Sequence, residues 1–247
     1  MKGEKKIEVR KTSFGYKKAG RDITILRDID LDFYAGDFVG IVGLNGVGKS
    51  TFLKSLCGLL PLLNGEIRIE GENISAISLT ELSRKISIVL TEKIGGFNLT
   101  AYDVVAAGQI PYTNAFNQLK PEHSSVINSA IEACGIKDHV LKPVNELSDG
   151  LFQKTIIAKA LAQQTPVMLL DEPSAFLDYA SKHDLFLLLK KLSEQEKKCV
   201  LVSSHDLDLI IRYCNKLVVI SPGSAELLPV TAARQNDAFI KIGGGFL

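Results

Sequence analysis

Short runs of hydrophobic, mostly β-branched residues alternate along the chain with longer segments that have helical periodicity. Several of these runs are uninterrupted, which is typical of strands that are buried on both faces in a parallel sheet covered by helices. The strands predicted in this way are 7–9, 38–42, 66–69, 86–90, 167–170, 199–202 and 217–220. The pattern therefore predicts an α/β fold with a mostly parallel sheet.

Strand 66–69 stands between two turn signals, Asn64-Gly65 before it and Glu70-Gly71 after it. Such dipeptides favour tight reversals of the chain, so they predict an antiparallel hairpin at one edge of the fold. We therefore expect a small antiparallel subdomain beside the parallel sheet.

The pattern changes between about residues 99 and 164, where β-branched runs vanish and segments such as 126–133 have helical period. This change predicts a helical lobe inserted into an α/β core that is formed by approximately residues 1–91 and 166–221. The tail, residues 222–247, is weakly patterned and includes three consecutive glycines. We expect the whole chain, 1–247, to form a single domain.

The composition is that of a globular protein with a sizeable core, since 46% of the 247 residues are hydrophobic. The 29 basic and 28 acidic residues nearly balance, which gives no indication of a nucleic-acid partner. No apolar stretch follows the charged N-terminus, so no secretory signal is predicted and we expect a cytoplasmic protein. The four cysteines are isolated in sequence, which favours reduced thiols over a metal site.

A motif for phosphate binding, Gly-Leu-Asn-Gly-Val-Gly-Lys-Ser-Thr, occupies 43–51 directly after strand 38–42. It matches the pattern GxxxxGK[ST], in which glycines let successive backbone N–H groups point at an anion at the start of a helix. Lys49 is expected to reach the β- and γ-phosphates, and the hydroxyl of Ser50 to bind Mg²⁺. The chain is therefore predicted to bind a nucleoside triphosphate. The predicted nucleotide-binding residues of this loop are Asn45, Gly46, Gly48, Lys49, Ser50 and Thr51.

Two adjacent carboxylates, Asp171 and Glu172, follow strand 167–170. The chain turns at the carboxyl end of a strand, so both side chains can face a bound nucleotide. Asp171 is expected to supply an oxygen ligand for Mg²⁺, and Glu172 to orient and deprotonate the water that attacks the γ-phosphate. Ser148 indicates another helix start, which by itself is no more than a capped helix.

In this order, the motifs resemble those of the ATP-binding cassette (ABC) family of ATPases, over nearly the whole chain to about Ser221. The family's signature sequence, Leu-Ser-Gly-Gly-Gln, is similar to Leu-Ser-Asp-Gly-Leu at 147–151. The resemblance implies a P-loop ATPase core, and it implies that Ser148 and Gly150 contact the nucleotide.

Three further positions match this family. Its D-loop resembles 174–178, which ends in Asp178 and is expected to lie at the nucleotide. Its switch histidine, a catalytic residue beside the γ-phosphate, is matched by His205. The aromatic residue that stacks on adenine is matched by Tyr16, upstream of the phosphate loop. The resemblance therefore implies that Glu172, His205 and Lys49 are catalytic.

Two positions depart from the family pattern. Asp149 replaces a signature glycine, and a carboxylate near a γ-phosphate is repulsive unless its side chain points away. Glu92 stands in the place of the Q-loop glutamine; it can bind Mg²⁺ but, when ionised, cannot donate a hydrogen bond. We expect an active ATPase whose Mg²⁺ ligands are Ser50, Asp171 and Glu92, with its hydrolysis rate left open.

Within the family, residues 99–113 are most similar to the ATPase subunits of importers for ferric siderophores, haem and cobalamin. This resemblance implies a head-to-tail dimer of two such subunits, two membrane-spanning permease subunits and, indirectly, a substrate-binding protein. The subunit is then expected to be peripheral on the inner face of the cell membrane, with ATP and Mg²⁺ as its cofactors. Two alternatives stay open: a soluble ABC ATPase without a membrane partner, and a weakly hydrolysing nucleotide-binding scaffold.

Overall fold

The computed structural model describes residues 3–18, 20–90, 99–113 and 118–243 of the chain. In these ranges the strands are β1 (Lys5–Lys18), β2 (Arg21–Tyr34), β3 (Phe38–Val42), β4 (Asn64–Ile69), β5 (Glu72–Asn73), β6 (Ile86–Val89), β7 (Val167–Leu170), β8 (Cys199–Ser203), β9 (Lys216–Ser221) and β10 (Ser224–Pro229). The helices are α1 (Lys49–Leu56), α2 (Leu79–Lys85), α3 (Ala101–Ala106), α4 (Pro121–Ala133), α5 (Asp149–Ala162), α6 (Tyr179–Glu196), α7 (Leu207–Tyr213) and α8 (Asp237–Lys241). Short 3₁₀ segments lie at Ala107–Tyr112, Lys137–His139, Val144–Glu146 and Val230–Gln235.

The larger sheet has the strand order β10-β9-β3-β8-β7-β6. Strands β9, β3, β8, β7 and β6 run parallel to one another, and β10 pairs antiparallel with β9 at one edge. The predicted α/β fold with a mostly parallel sheet is therefore confirmed. β10 lies in the weakly patterned tail, where pairing with β9 and burial of Leu228 hold it in place.

Side chains of the central strands alternate between two hydrophobic cores, one on each face of the larger sheet. In β3, Phe38 and Val42 contribute to one core, while Val39 and Ile41 contribute to the other. The same alternation holds along β7 and β8, whose residues are all buried. Because both faces are covered, neither needs polar side chains, and the strands appear in the sequence as uninterrupted hydrophobic runs.

A second, antiparallel sheet has the strand order β2-β1-β4-β5 and shares one of these cores. Strands β4 and β5 form the predicted hairpin, so the antiparallel edge is confirmed. β1 and β2 each have 14 residues and extend far beyond the predicted strand 7–9, because their exposed face carries charged residues that break the hydrophobic run. The ring of Phe14 in β1 packs edge-on against Phe52 of α1 at 5.1 Å, which joins this sheet to the helix.

The segment between β6 and β7 is helical over most of its described residues and contains α3, α4 and α5. These helices share a third hydrophobic core, to which Val105, Ile127, Ile131 and Ala158 contribute. In the part of the chain that the structure covers, no helix combines the length and the apolar character needed to cross a lipid bilayer.

Candidate active site

Three neighbouring parallel strands bring the predicted catalytic residues to one edge of the larger sheet. The phosphate-binding loop, residues 43–48, follows β3; Asp171 and Glu172 follow β7; and β8 ends at Ser203, two residues before His205. Because β8 lies between β3 and β7 and all three run in the same direction, their carboxyl ends meet. Ligand sites of open parallel sheets form at such edges.

The conformation of the phosphate-binding loop depends on glycine. Gly48 precedes α1 with φ 115°, in the left-handed region, and a Cβ added there would collide with the side chain of Ile25 in β2. The loop turns directly into α1, an eight-residue helix whose first N–H groups have no partner inside the helix. These groups and the helix dipole make the loop an anion-binding concavity.

Lys49, the first residue of α1, folds back onto the loop. Its Nζ donates hydrogen bonds to the carbonyl oxygens of Gly43 and Leu44, at 2.9 and 3.4 Å. Burial lowers the pKa of Lys49, while the carboxylates of Glu172 and Asp171 oppose that shift. The ammonium group therefore lies among carbonyl dipoles, and it can exchange these weak partners for the full charges of phosphate oxygens.

Asp171 and Glu172 are linked through Ser203 at the end of β8. The hydroxyl of Ser203 donates to Oδ1 of Asp171 at 2.7 Å and accepts the backbone N–H of Glu172 at 2.9 Å. Asp171 and Ser203 are both buried. Sequence reasoning missed Ser203, and its only signal is a hydroxyl at the end of a buried strand, two residues before the histidine.

Glu172 is close to His205. The backbone N–H of His205 donates to Oε2 of Glu172 at 3.3 Å, and its Nε2 lies 3.1 Å from Oε1. Oε1 is buried, yet it makes no hydrogen bond of acceptable geometry with the described residues. Burial raises the pKa of Glu172. A buried carboxylate oxygen without a hydrogen-bond donor is suited to accept a proton.

The backbone at Glu172 is also unusual. Its φ is 48°, in the left-handed region that a residue with a Cβ rarely occupies. Such strain costs roughly 1–3 kcal/mol and is found where the surrounding structure demands it, often at active sites. Here two hydrogen bonds hold the turn in place: the Glu172 N–H donates to the Ser203 hydroxyl, and the His205 N–H donates to the Glu172 carboxylate.

Tyr16 lies on β1 and is 42% exposed. Its strand partner is Ile23 of β2, two residues from the Ile25 side chain that closes against Gly48. Tyr16, the predicted adenine-stacking residue, is therefore next to the part of β2 that packs against the phosphate-binding loop.

Ser148, Gly150 and Asp178 form a separate group. Ser148 caps α5 by accepting the N–H of Leu151 at 3.3 Å, and Asp178 caps α6 by accepting the N–H of Ser181 at 2.8 Å. A Cβ added to Gly150 would lie 3.2 Å from the carbonyl oxygen of Phe176 in the D-loop. These contacts do not link the three residues to Lys49, Glu172 or His205.

The remaining predicted residues are those of the phosphate loop, Glu92 and Asp149. Asn45, Gly46 and Ser50 are exposed on the phosphate loop and the first turn of α1, and Thr51 is half-buried beside them. Glu92 lies outside the described residues. Asp149 is the exposed first residue of α5.

Comparison with known proteins identifies relatives over most of the chain. Residues 26–175 match the ABC transporter family. The chain is 35% identical to an uncharacterized ABC transporter ATP-binding protein of Methanocaldococcus jannaschii, a match that covers 87% of this chain and 72% of that protein. It is 34% identical to the cobalamin import ATP-binding protein BtuD of Halobacterium salinarum, over 89% of this chain but only 56% of that protein. It is 32% identical to the achromobactin transport ATP-binding protein CbrD of Dickeya dadantii, over 95% and 86% of the two chains.

Solved structures give the same result for the fold. The dimeric structure of a bacterial ABC transporter cassette is similar with a TM-score of 0.80 and 27% identity, over 91% of this chain and 98% of that one. A dimeric post-hydrolysis state of the same cassette, bound to ADP and Pi, matches equally well. The chain therefore belongs to the ABC transporter family as one of its ATP-binding subunits, the ATPases that are coupled to transport.

Proposed function

We propose that Glu172, His205 and Lys49 are the catalytic residues of ATP hydrolysis. The observation that carries this proposal is the buried Oε1 of Glu172, which accepts no hydrogen bond from the described residues and lies 3.1 Å from Nε2 of His205. In this proposal Glu172 accepts the proton of the attacking water, and His205 lies beside the γ-phosphate. Lys49 compensates the charge of the β- and γ-phosphates. All three come from the sheet edge where β3, β8 and β7 end.

ATP binds in this proposal along the phosphate-binding loop. The backbone N–H groups at the start of α1 hold the phosphates, Lys49 exchanges the carbonyls of Gly43 and Leu44 for phosphate oxygens, and Tyr16 stacks on the adenine. The proposed nucleotide-binding residues of one chain are Tyr16, Asn45, Gly46, Gly48, Lys49, Ser50 and Thr51.

Mg²⁺ is proposed to bind with the nucleotide, held by Ser50, Asp171 and Glu92. The donor set fits a hard cation, since a hydroxyl and carboxylates supply oxygen ligands, and Ser203 holds the buried Asp171 carboxylate at the sheet edge. Among the described residues no cluster of three or more His, Cys, Asp or Glu could hold a metal by itself. When bound, the ion neutralises phosphate charge.

The separate group of Ser148, Gly150 and Asp178 is proposed to serve the ATP bound by a second copy of the chain. Two arguments support this head-to-tail arrangement. The hydrogen bonds and close contacts of these residues lie at the starts of α5 and α6 and at the D-loop, with Ser148 as the N-cap of α5. Similar cassettes are dimers in solved structures. Each ATP then lies between two subunits, so hydrolysis can reopen the dimer.

We propose that the dimer drives an importer of an iron-siderophore, haem or cobalamin-type substrate. Relatives at 29–34% identity are named for import of cobalamin and iron(3+)-hydroxamate and for transport of achromobactin. The partners are two membrane-spanning permease subunits and, indirectly, a substrate-binding protein. The subunit is therefore peripheral on the inner face of the membrane.

Transport into proteoliposomes tests this function. The subunit is co-purified with its permease subunits, reconstituted with ATP inside, and supplied with substrate-binding protein and radiolabelled ferric siderophore, haem or cobalamin. We expect ATP-dependent uptake of one of them and no uptake with Glu172→Gln. A subunit that hydrolyses ATP but retains no membrane partner would favour the soluble ATPase, and a subunit that binds ATP without turnover would favour the scaffold.

Replacing Tyr16 by alanine is expected to weaken ATP binding by roughly 1–3 kcal/mol, the range seen when an aromatic ring that stacks on a base is removed. Tyr16→Phe keeps the ring and should bind ATP like the wild type. Isothermal titration with a non-hydrolysable ATP analogue measures both affinities. Unchanged binding by both variants would remove Tyr16 from the nucleotide site.

Ser203→Ala should reduce the rate of ATP hydrolysis more than it reduces ATP affinity. The substitution leaves the buried Asp171 oxygen and the Glu172 N–H without their shared partner, which costs about 1–3 kcal/mol for each buried polar group. Steady-state phosphate release and nucleotide titration separate the two effects. Ser204→Ala, one residue further along, is the matched control, and an equal loss in both variants would contradict a specific role of Ser203.

A further inference from the structure

A cleft outside the nucleotide site lies between the N-terminal part of α6, helix α7 and the 3₁₀ segment Val230–Gln235. Its volume is about 440 Å³, within the range of roughly 300–1,000 Å³ that is usual for small-molecule sites. Tyr179 and His183 line it from α6, Leu209 and Arg212 from α7, and Arg234 from the 3₁₀ segment. The proposed function assigns no role to these residues.

One wall of the cleft is aromatic and held in position. The ring centroids of Tyr179 and His183 lie 4.5 Å apart, and Nδ1 of His183 is 2.8 Å from the hydroxyl of the buried Tyr213. The contact with Tyr213 therefore holds the His183 ring in position, while Tyr179 is 78% exposed. An exposed ring that rests on a fixed one forms a platform on which a planar group can stack.

The charges around the cleft favour an anion. Among the described residues, neither Arg212 nor Arg234 forms an ion pair, although both line the cleft. The guanidinium carbon of Arg212 lies 5.6 Å from the ring centre of Tyr213. Of the other lining charges, Lys182 pairs with Asp206 at 2.7 Å, and Asp208 is a carboxylate on the same helix as Arg212.

Two guanidinium groups against one further carboxylate leave a net positive charge in a partly enclosed site. Guanidinium groups bind phosphate and carboxylate with paired, directional hydrogen bonds. We propose that this cleft binds a small planar ring bearing a phosphate or carboxylate group, with the ring stacked on Tyr179 and the anion held by Arg212 and Arg234. Asp206 also lines the cleft and directly follows His205 in the chain, so the bound molecule lies next to the segment that carries His205.

Titration with phenyl phosphate tests this site. The phosphate-binding loop is first saturated with ADP and Mg²⁺, so that the probe cannot bind there, and binding is followed by isothermal titration and by saturation-transfer NMR of the phenyl protons. We expect saturable binding of one probe per chain. Arg212→Ala and Arg234→Ala should each weaken it about tenfold, as expected for loss of one charge-assisted hydrogen bond. Phenol and inorganic phosphate should each bind more weakly than phenyl phosphate.

Arg27→Ala, an exposed arginine of β2, is the matched control and should bind the probe like the wild type. Circular dichroism and thermal melting check that each variant is folded. The proposal is overturned if no saturable binding occurs, if the Arg212 and Arg234 variants behave like the Arg27 control, or if inorganic phosphate binds as tightly as phenyl phosphate. Loss of dimerisation with unchanged probe binding would also overturn it and assign the cleft to a contact between copies.

Discussion

Lys49→Ala should lower the rate of ATP hydrolysis at least about 10²–10³-fold. The change removes the positive charge that is proposed to compensate the β- and γ-phosphates, which corresponds to a loss of roughly 3–4 kcal/mol of transition-state stabilisation. The fold should survive, because among the described residues Nζ bonds to two backbone carbonyls, those of Gly43 and Leu44, and burial already lowers its pKa. Steady-state phosphate release, measured on the assembled transporter with saturating ATP and Mg²⁺, gives the rate.

Lys190→Ala is the control for this experiment, since Lys190 lies on α6 and forms only a surface pair with Glu194 at 3.8 Å. It should hydrolyse ATP at the wild-type rate. A Lys49→Ala protein that stays within a few-fold of wild type would exclude this loop as the phosphate site.

Glu172→Gln should separate nucleotide binding from hydrolysis. The amide keeps the size of the side chain and an oxygen that can accept the His205 N–H, but it cannot take a proton from water. Hydrolysis should therefore fall by about 10²-fold or more, the usual contribution of a general base, while ATP affinity stays close to wild type. Single-turnover hydrolysis together with equilibrium nucleotide binding measures the two properties.

The same variant should trap the ATP-bound dimer, because hydrolysis is the step that reopens it. Size-exclusion chromatography with ATP and Mg²⁺, at high protein concentration or on the assembled complex, should show the dimer for Glu172→Gln and less of it for wild type. Glu194→Gln, an exposed glutamate on α6, is the control. If Glu172→Gln hydrolyses ATP at the wild-type rate, the general base is another residue, and His205 is the first candidate.

Much of the chemistry is local in sequence and was predictable for that reason. The phosphate-binding loop needs glycines, Lys49 and Ser50 within nine consecutive residues, since one turn and one helix start make the anion site. The adjacent carboxylates Asp171 and Glu172 are marked by the buried strand that precedes them. Strands β3, β7 and β8 are buried on both faces, so their uninterrupted hydrophobic runs identify them in the sequence.

Elements with one exposed face were harder to predict. β1 and β2 pair with each other and with β4, and their charged outer residues interrupt the hydrophobic pattern. β10 and α8 lie in the weakly patterned tail and are ordered by contact with β9 and by burial of Phe239. Sequence periodicity shows which side chains of an element are buried. It does not show the strand pairing and packing against neighbouring elements that keep these four elements in place.

The ABC family, the mostly parallel sheet and the motif residues were predictable from the sequence, because each motif and each buried strand is a short run of neighbouring residues. How these segments meet in space was not predictable in this way, because it depends on the tertiary structure. The fold links Asp171 and Glu172 through Ser203, bonds the His205 N–H to the Glu172 carboxylate, places Gly150 beside Phe176, and forms the cleft of Arg212 and Arg234 from the tail, α6 and α7. Such contacts depend on strand order and helix packing, which join residues that lie far apart in the chain.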